Sequence, residues 1–415
     1  MPEGGARPGG GEITGQPILR VAVAGAGAFG RNHLRVYREL ETAGADAAGV
    51  GVALVAAVEP NSVRAAETAA KYEIPVFATV EELLRADLKL DAATVAVPTV
   101  HHHAVASALL DAGLDLLVEK PLAARLDEAD DLIARADKGK RILQPGHLER
   151  FNPAVLAVQP QLRRPMFFEA HRLSVFTPRA LDVDVVLDLM IHDLDIVLTF
   201  AGSPVREVRA VGLPILSPKV DIANVRVEFE SGCVANFTAS RVSTERVRKL
   251  RFFEPRQYVS IDYARQDLLV ISVEAGAGKA SPAELIASLP PQIAALLPPG
   301  IADGIRSGAI DLKKIDPALI AQFAAMAKID PSVIAQLTNP AGPTAGLSFS
   351  KPTVTPGEPL RLEIVSFLEA VRTRRQPLVT ARQGREALAL ALEIQASMAA
   401  HAKRAGLENF FNPGA

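Results

Sequence analysis

The stretch DLMIHDLDIVL, residues 188–198, places acids and a histidine inside a run of apolar residues. On a helix advancing about 100° per residue, one narrow stripe holds Asp184, Asp188, His192 and Asp195, whereas Asp193 falls outside it. One interpretation is an amphipathic helix with a solvated face, although such faces favour Lys, Glu and Arg, which form helices better than Asp and His. The other is a buried stripe, whose ionisable groups would need partners or a substrate.

A second motif lies near the N-terminus, in VAVAGAGAFG at residues 21–30. Gly25, Gly27 and Gly30 have the GxGxxG spacing, directly after a predicted strand and at the start of a predicted helix. In such a turn the first glycine permits a tight bend, the second admits a pyrophosphate, and the third allows close helix packing. The amides of Ala28 and Phe29 would then face the phosphates. The motif predicts a dinucleotide site; a small-residue turn used only for packing is the alternative.

An acid follows the second predicted strand, VALVAAVE, which ends at Glu59. A carboxylate at this position takes the ribose hydroxyls and repels the 2′-phosphate of NADP, so we expect NAD as the cofactor. The distance from the glycine turn is longer than usual, and the loop GADAAGVG accommodates the extra residues. Arg64 leaves NADP open as the alternative.

The order of predicted elements indicates an α/β protein of two domains. After a flexible tail at 1–16, strands alternate with helices over 17–146, which predicts a parallel Rossmann sheet. From 147 to 415 the pattern changes to long alternating stretches, such as NVRVEFESGCVANFTASRV with a turn at Ser231-Gly232, which predict a second α/β domain on a mostly antiparallel open sheet. An Ala/Pro-rich insertion at about 275–346 is expected to form short helices between two strands.

Composition excludes several classes of function. With 45 basic and 47 acidic residues, the net charge of −2 gives no footprint for nucleic acid or an anionic membrane. The single cysteine, Cys233, excludes an internal disulfide and suits a reducing compartment, so we expect a cytoplasmic protein. The run His101-His102-His103 predicts no metal site, because consecutive side chains diverge and no acid or cysteine cluster accompanies them.

The stretch VAVPTVHHHAVASALLDAGLDLLVEKP, residues 95–121, resembles the Gfo/Idh/MocA family of sugar and cyclitol oxidoreductases. The matching positions are Pro98, His102, Glu119, Lys120 and Pro121. The resemblance implies that Pro98, His102 and Glu119 line the cofactor site, that Lys120 reaches a substrate hydroxyl, and that Pro121 is often cis. Asp188-x-x-x-His192 resembles the catalytic pair of inositol dehydrogenases. His192 would then take the hydroxyl proton, Lys120 would steady the alkoxide, and Asp188 would orient the histidine or grip a neighbouring hydroxyl.

Three stretches, GHLERFNPAV, EAHRLSVFTPR and DLMIHDLDIVL, resemble a branch of that family, the bacterial UDP-N-acetylglucosamine 3-dehydrogenases. The resemblance implies a UDP-sugar oxidised at C3, a downstream aminotransferase, and a homodimer or homotetramer. Arginine suits phosphate, so four residues are predicted to hold the diphosphate: Arg150, Asn152, Arg172 and Arg179. Ordinary ion pairs are the alternative for the arginines. Two other functions stay open, a dehydrogenase of a free sugar or cyclitol and a non-catalytic dinucleotide-binding regulator.

Overall fold

The computed structural model describes residues 18–176, 183–273 and 347–407. The predicted tail at 1–16 and the predicted insertion at about 275–346 lie outside these ranges. The chain divides into two compact units, Met1–His147 with Leu360–Arg385, and Leu148–Pro359 with Glu386–Ala415. A division into two consecutive domains near residue 147 therefore misses the return of Leu360–Arg385 to the first unit.

The first unit contains a six-stranded parallel sheet with the strand order β3-β2-β1-β4-β5-β6. Its strands are β1 Leu19–Ala24, β2 Val52–Val58, β3 Val76–Phe77, β4 Ala92–Val95, β5 Asp115–Glu119 and β6 Leu143–Gly146. Most residues of these strands, apart from those of β3, are buried because both faces of the sheet are covered. The strand order reverses between β1 and β4, which is where ligands bind at the carboxyl edge of open α/β sheets.

The helices within the described ranges are α1 Gly30–Ala48, α2 Ser62–Tyr72, α3 Val80–Arg85, α4 His102–Asp111, α5 Leu126–Gly139, α6 Pro153–Val158, α7 Ile191–Ala201, α8 Pro359–Thr373 and α9 Ala381–Arg404. Helix α1 continues past Gly44, whose non-helical φ of 77° and ψ of 164° kink it, so much of the predicted loop after Gly44 is helical. Helix α8 belongs to the first unit, where Ile364 and Phe367 are fully buried in the same core as β1 and α1.

The second unit contains an eight-stranded sheet with the order β14-β13-β12-β11-β7-β10-β9-β8. Its strands are β7 Phe167–Leu173, β8 Val205–Leu213, β9 Ile222–Phe229, β10 Val234–Ser240, β11 Val247–Glu254, β12 Gln257–Asp262, β13 Asp267–Val273 and β14 Leu347–Ser350. All neighbours are antiparallel except β7 and β10. The predicted hairpin is present as β9 and β10, with Gly232 at φ 82° in its turn.

Burial along these strands alternates, as in β7, because one sheet face meets the core and the other is half-exposed. The core face packs with apolar side chains of α6, α7 and the part of α9 after Glu386. A π-helix, Val186–Met190, runs directly into α7. No helix in the described residues is both long enough and apolar enough to cross a membrane.

Candidate active site

The glycine turn between β1 and α1 is crowded at Gly25 and Gly30 and open at Gly27. Gly25 has a φ of 97°, which suits glycine, and a Cβ there would lie 2.6 Å from the Ala96 carbonyl oxygen. A Cβ on Gly30 would lie 1.9 Å from the Gly25 carbonyl oxygen, so α1 packs closely on the turn. A Cβ on Gly27 would meet no heavy atom within 4 Å. The space beside Gly27 is therefore open to a ligand.

The start of α1 leaves backbone donors beside that space. The Arg31 amide donates to the Gly27 carbonyl (3.1 Å), which makes it an early bond of the helix. The amides before it, including those of Ala28 and Phe29, are the ones that a helix leaves unpaired at its start. No capping side chain and no acid occupies the first turn of α1. An anion can use these donors and the positive end of the helix dipole.

Glu59 lies directly after β2 and is almost completely buried. Its Oε2 accepts from the Ala26 amide (3.1 Å), and its Oε1 accepts from the Asn61 amide (2.9 Å) and from Arg64 Nη2 (2.8 Å). Burial opposes ionisation, but the hydrogen bonds from Arg64, Asn61 and Ala26 outweigh it and lower the Glu59 pKa. The carboxylate is thus ionised and tied to the glycine turn, with the half-exposed Arg64 beside it.

The end of β5 carries a pair of residues, one of which, His33, belongs to none of the sequence motifs. His33, fully buried on α1, contacts Glu119 through Nε2 and Oε1 at 2.7 Å. Glu119 Oε2 accepts from the Lys120 amide (3.3 Å), and the Lys120–Pro121 peptide bond is cis. The signal was present in the sequence, because His33 follows Gly30 by three residues and so lies one helical turn further along α1. His33 links the glycine turn to the residue before Lys120.

His102 and Pro98 lie in the connection between β4 and α4. The buried His102 ring places Nδ1 2.8 Å from the Pro121 carbonyl oxygen and Nε2 2.9 Å from the Val97 carbonyl oxygen. A neutral imidazole donates to only one of these, and burial, which lowers the His102 pKa, favours that neutral form. His102 therefore ties together two loops at the carboxyl edge of the sheet. Its contact with a cofactor stays a prediction.

In the second unit, Asp188 and His192 lie where the helix changes type. Asp188 belongs to the π segment, whose hydrogen bonds run from i to i+5, and His192 belongs to α7. The prediction of one regular helix over 184–198, on which the projection relies, is therefore wrong. Asp188 is half-buried and His192 is buried. Asp184 accepts from the amides of Val186 and Leu187 (3.0 Å each), so it caps the π segment.

The solvated-face interpretation is wrong for the acids of α7. Asp193 and Asp195 are 2% and 1% exposed, and each is paired with a buried arginine. Arg172 donates to Asp193 through Nε (2.7 Å) and Nη2 (3.0 Å). Arg150 Nη1 contacts Asp195 Oδ1 at 3.4 Å and also donates to the Thr199 hydroxyl. The helical projection leaves Asp193 outside the stripe, yet its position facing β7 is what pairs it with Arg172.

These pairs change the interpretation of the residues predicted to hold a diphosphate. Arg150, Asn152 and Arg172 are each no more than 4% exposed. Asn152 caps α6 by accepting from the Ala154 amide (3.1 Å) and donates to Glu149 Oε2 (3.2 Å). We infer that these three residues do not hold a diphosphate, because Arg150 Nη1, the Asn152 amide group and all three guanidinium nitrogens of Arg172 bind protein partners. Arg179 lies outside the described residues.

No group of three or more His, Cys, Asp or Glu side chains in the described ranges is placed to hold a metal ion. Within the histidine run, His102 is held by two carbonyls, and His103 Nε2 contacts Asp131 Oδ2 at 2.8 Å.

A parallel sheet with a glycine turn at its switch point and an acid after β2, followed by a second unit on an antiparallel sheet, defines a two-domain dinucleotide-binding protein. The chain belongs to the Gfo/Idh/MocA oxidoreductase family. Residues 19–147 match the model described as "Oxidoreductase family, NAD-binding Rossmann fold", and residues 154–256 match the "GFO/IDH/MocA C-terminal domain".

Named relatives agree with this assignment. UDP-N-acetylglucosamine 3-dehydrogenase of Acidithiobacillus ferrooxidans is 35% identical over 305 residues, which cover 73% of this chain and 86% of the relative. A solved structure of that organism's UDP-N-acetylglucosamine 3-dehydrogenase GnnA has a TM-score of 0.70 at 29% identity, covering 95% of this chain and 99% of the other. Inositol 2-dehydrogenase 1 of Saccharopolyspora erythraea is 30% identical over 198 residues, covering 45% of this chain and 56% of the relative.

Proposed function

We propose that the protein is an NAD-dependent dehydrogenase that oxidises a sugar ring hydroxyl of a UDP-sugar, specifically C3 of UDP-N-acetylglucosamine, to give a 3-keto nucleotide sugar. The observation that carries the proposal is the 35% identity with the UDP-N-acetylglucosamine 3-dehydrogenase of Acidithiobacillus ferrooxidans, because it extends over 86% of that relative. The likeness to the inositol dehydrogenase extends over 56% of that relative and supports the alternative, a free cyclitol as substrate.

The glycine turn and Glu59 are proposed to bind the dinucleotide. The amides of Ala28 and Phe29 would donate to the pyrophosphate beside Gly27, where a Cβ would have no neighbour within 4 Å. The ionised Glu59 would accept from the adenosine ribose hydroxyls and disfavour the 2′-phosphate of NADP. Arg64, already paired with Glu59, is the group that could offset this repulsion. When bound, the nicotinamide accepts the hydride.

The acid–base work is assigned to three side chains. We propose that His192 takes the proton of the substrate hydroxyl as hydride leaves the carbon. Asp188, which precedes it across the junction between the π segment and α7, would orient His192 or bind a neighbouring hydroxyl. Lys120 would stabilise the negative charge that develops on the oxygen. We propose that the cofactor site is lined by Pro98, His102 and Glu119. Glu119 acts there together with His33, which contacts it.

Recognition of the diphosphate remains assigned to Arg179 alone among the predicted residues, because Arg150, Asn152 and Arg172 are engaged inside the second unit. The assignment of a UDP-sugar as substrate therefore rests on the comparison with the UDP-N-acetylglucosamine 3-dehydrogenase and not on those three side chains. We further propose that the reaction takes place in the cytoplasm, that the protein is a homodimer or homotetramer, and that an aminotransferase consumes the keto product.

A substrate panel tests the proposal. NADH formation is measured with UDP-N-acetylglucosamine, its 3-deoxy analogue, myo-inositol and free N-acetylglucosamine. We expect turnover of UDP-N-acetylglucosamine alone. Turnover of the free compounds without the UDP-sugar would replace the proposal with the alternative substrate class, and turnover of the 3-deoxy analogue would exclude C3. As controls, Lys120→Ala and His192→Ala should each lower kcat by roughly 10²-fold while leaving dinucleotide affinity unchanged.

A further inference from the structure

A buried arginine connects the strand β7 to the helix that carries His192. Arg172 donates twice to Asp193, through Nε (2.7 Å) and Nη2 (3.0 Å), and its Nη1 donates to Glu149 Oε1 (2.9 Å). Each of the three side chains is less than 8% exposed. Asp193 follows His192 directly in the chain. The position of the Arg172 guanidinium therefore affects the direction in which the His192 side chain points.

The connection extends to two further segments of the second unit. Asn152 donates to Glu149 Oε2 (3.2 Å) and to the Tyr263 carbonyl oxygen (3.0 Å). The Tyr263 ring lies under the Arg172 guanidinium, 5.2 Å from centroid to Cζ. Asn152 is itself fixed as the cap of α6. The Arg172 guanidinium is thus fixed by Glu149 and by the Tyr263 ring as well as by Asp193. This makes it a rigid anchor for α7.

A second arginine holds α7 from another direction. Arg150 contacts Asp195 at 3.4 Å and donates to Thr199, one turn further along the helix. On a helix advancing about 100° per residue, Asp193 and Asp195 diverge by about 160°, and His192 lies on the arc between them. Two anchors so placed prevent rotation of α7 about its axis, and rotation is the motion that would turn His192 away.

Stability alone does not account for this arrangement. Buried ion pairs are costly to desolvate, and apolar residues of similar size often serve the fold equally well or better. The segment whose position must be fixed lies directly before α7. There the hydrogen bonding changes from the π pattern of Val186–Met190 to the α pattern of α7. A shift of that junction by one residue would rotate Asp188 relative to His192. π turns of this kind are rare and concentrate at functional sites.

We propose that Arg172 with Asp193, assisted by Arg150 with Asp195, are positioning residues that fix the rotation of α7 and so direct His192 at its substrate. This proposal rests on the proposed function of His192. It assigns to the two arginines a task in the reaction that requires no contact with substrate or cofactor.

The test compares Arg172→Lys with a matched control. Lysine keeps the charge of Arg172 but loses the two-pronged fork. The control is Arg374→Lys in the first unit, where Arg374 grips both oxygens of Asp115 at the amino end of β5. With turnover normalised to folded protein, Arg172→Lys should lower kcat roughly 10- to 100-fold, with KM for UDP-N-acetylglucosamine within about twofold. Arg374→Lys should leave both constants unchanged.

Hydrogen exchange gives a second measurement that needs no turnover. Amides of residues 186–201 should exchange faster in Arg172→Lys than in the wild type, and not faster in Arg374→Lys. Wild-type kcat and wild-type exchange in folded Arg172→Lys would overturn the proposal. A loss of activity that only follows the loss of folded protein would also overturn it. If the wild type turns over no panel compound, the proposed function fails, and the exchange result alone decides whether the arginine anchors the segment.

A triple variant separates the loss of positioning from the loss of folding. Arg172→Met with Asp193→Leu and Glu149→Gln removes the whole charge group, so no buried charge is left without its partner. We expect this protein to keep or raise its Tm and to have a kcat at least as low as that of Arg172→Lys. A triple variant with normal Tm and wild-type kcat would refute the positioning role.

Discussion

Substituting Gly27 and Gly30 with alanine should separate ligand binding from folding within one turn. A Cβ on Gly27 meets no heavy atom within 4 Å, and Gly27 has no positive φ. The ligand-free Gly27→Ala protein should therefore be as stable as the wild type, or more stable by about 0.4–1 kcal/mol, because alanine restricts the unfolded chain.

The cost of Gly27→Ala should appear only when the dinucleotide binds. The added methyl group would occupy the space through which a pyrophosphate approaches the amides at the start of α1. A hydrogen bond to a charged group contributes about 1.5–3 kcal/mol. Losing one such bond weakens binding by about 10- to 100-fold, since 1.4 kcal/mol corresponds to a factor of ten.

Gly30→Ala should behave in the opposite way. Its Cβ would lie 1.9 Å from the Gly25 carbonyl oxygen, so α1 must move by about 1 Å to reach even the closest separation seen for real Cβ atoms. Overpacking of this kind costs about 1–3 kcal/mol, and the ligand-free protein should unfold at lower temperature.

Calorimetric titration with NAD and urea denaturation without it measure the two effects. Wild-type NAD affinity in Gly27→Ala would refute the placement of the pyrophosphate beside Gly27. Wild-type stability in Gly30→Ala would refute the packing argument.

Three further predictions concern other groups. Glu59→Ser should narrow the proposed preference for NAD over NADP, because the carboxylate proposed to repel a 2′-phosphate is gone. If the ratio of the Kd values for NADP and NAD is the same in the variant and the wild type, Glu59 is not the determinant. Burial opposes ionisation of Asp221, but bonds from Ser217 and the amides of Ile215 and Leu216 lower its pKa from 3.8 to about 2. Since the pKa of Asp221 is lower in the folded state than in the unfolded state, its stabilisation of the fold is complete above about pH 4 and is lost as the pH falls towards 2. Urea denaturation should show that Asp221→Asn lowers the free energy of unfolding by about 2 kcal/mol at pH 7 and by less in acid. A difference in stability that does not depend on pH would contradict this prediction. Burial raises the pKa of the Cys233 thiol to about 11, so a thiol reagent should react with it no faster than the protein unfolds; rapid labelling of folded protein would argue against its burial.

Much of the first unit could be predicted because its signals are local. The spacing of Gly25, Gly27 and Gly30 and the acid at Glu59 depend on residues close in sequence to the strands that position them. The same is true of the hairpin at Ser231-Gly232, whose strands pair in regular register. Turn chemistry and alternation fix such elements before any distant contact forms.

The remaining features have no signal in the sequence pattern, and two of them depend on contacts between distant residues. The π segment before α7 breaks the even rotation on which the helical projection relies. Arg172 carries the same charge whether it faces a diphosphate or Asp193, and only the fold brings these two residues together. The membership of α8 in the first unit likewise has no local signal, because its apolar face could cover either core.

The membership of α8 has a consequence for the order in which the chain folds during synthesis. Domains generally fold as units from the N-terminus as the chain leaves the ribosome. Here the first unit is completed by Leu360–Arg385, including the fully buried Ile364 and Phe367. Until those residues emerge, the apolar surface that they cover on β1 and α1 stays exposed. The N-terminal dinucleotide-binding unit therefore cannot finish folding first, and translation must pass Arg385 before this unit closes.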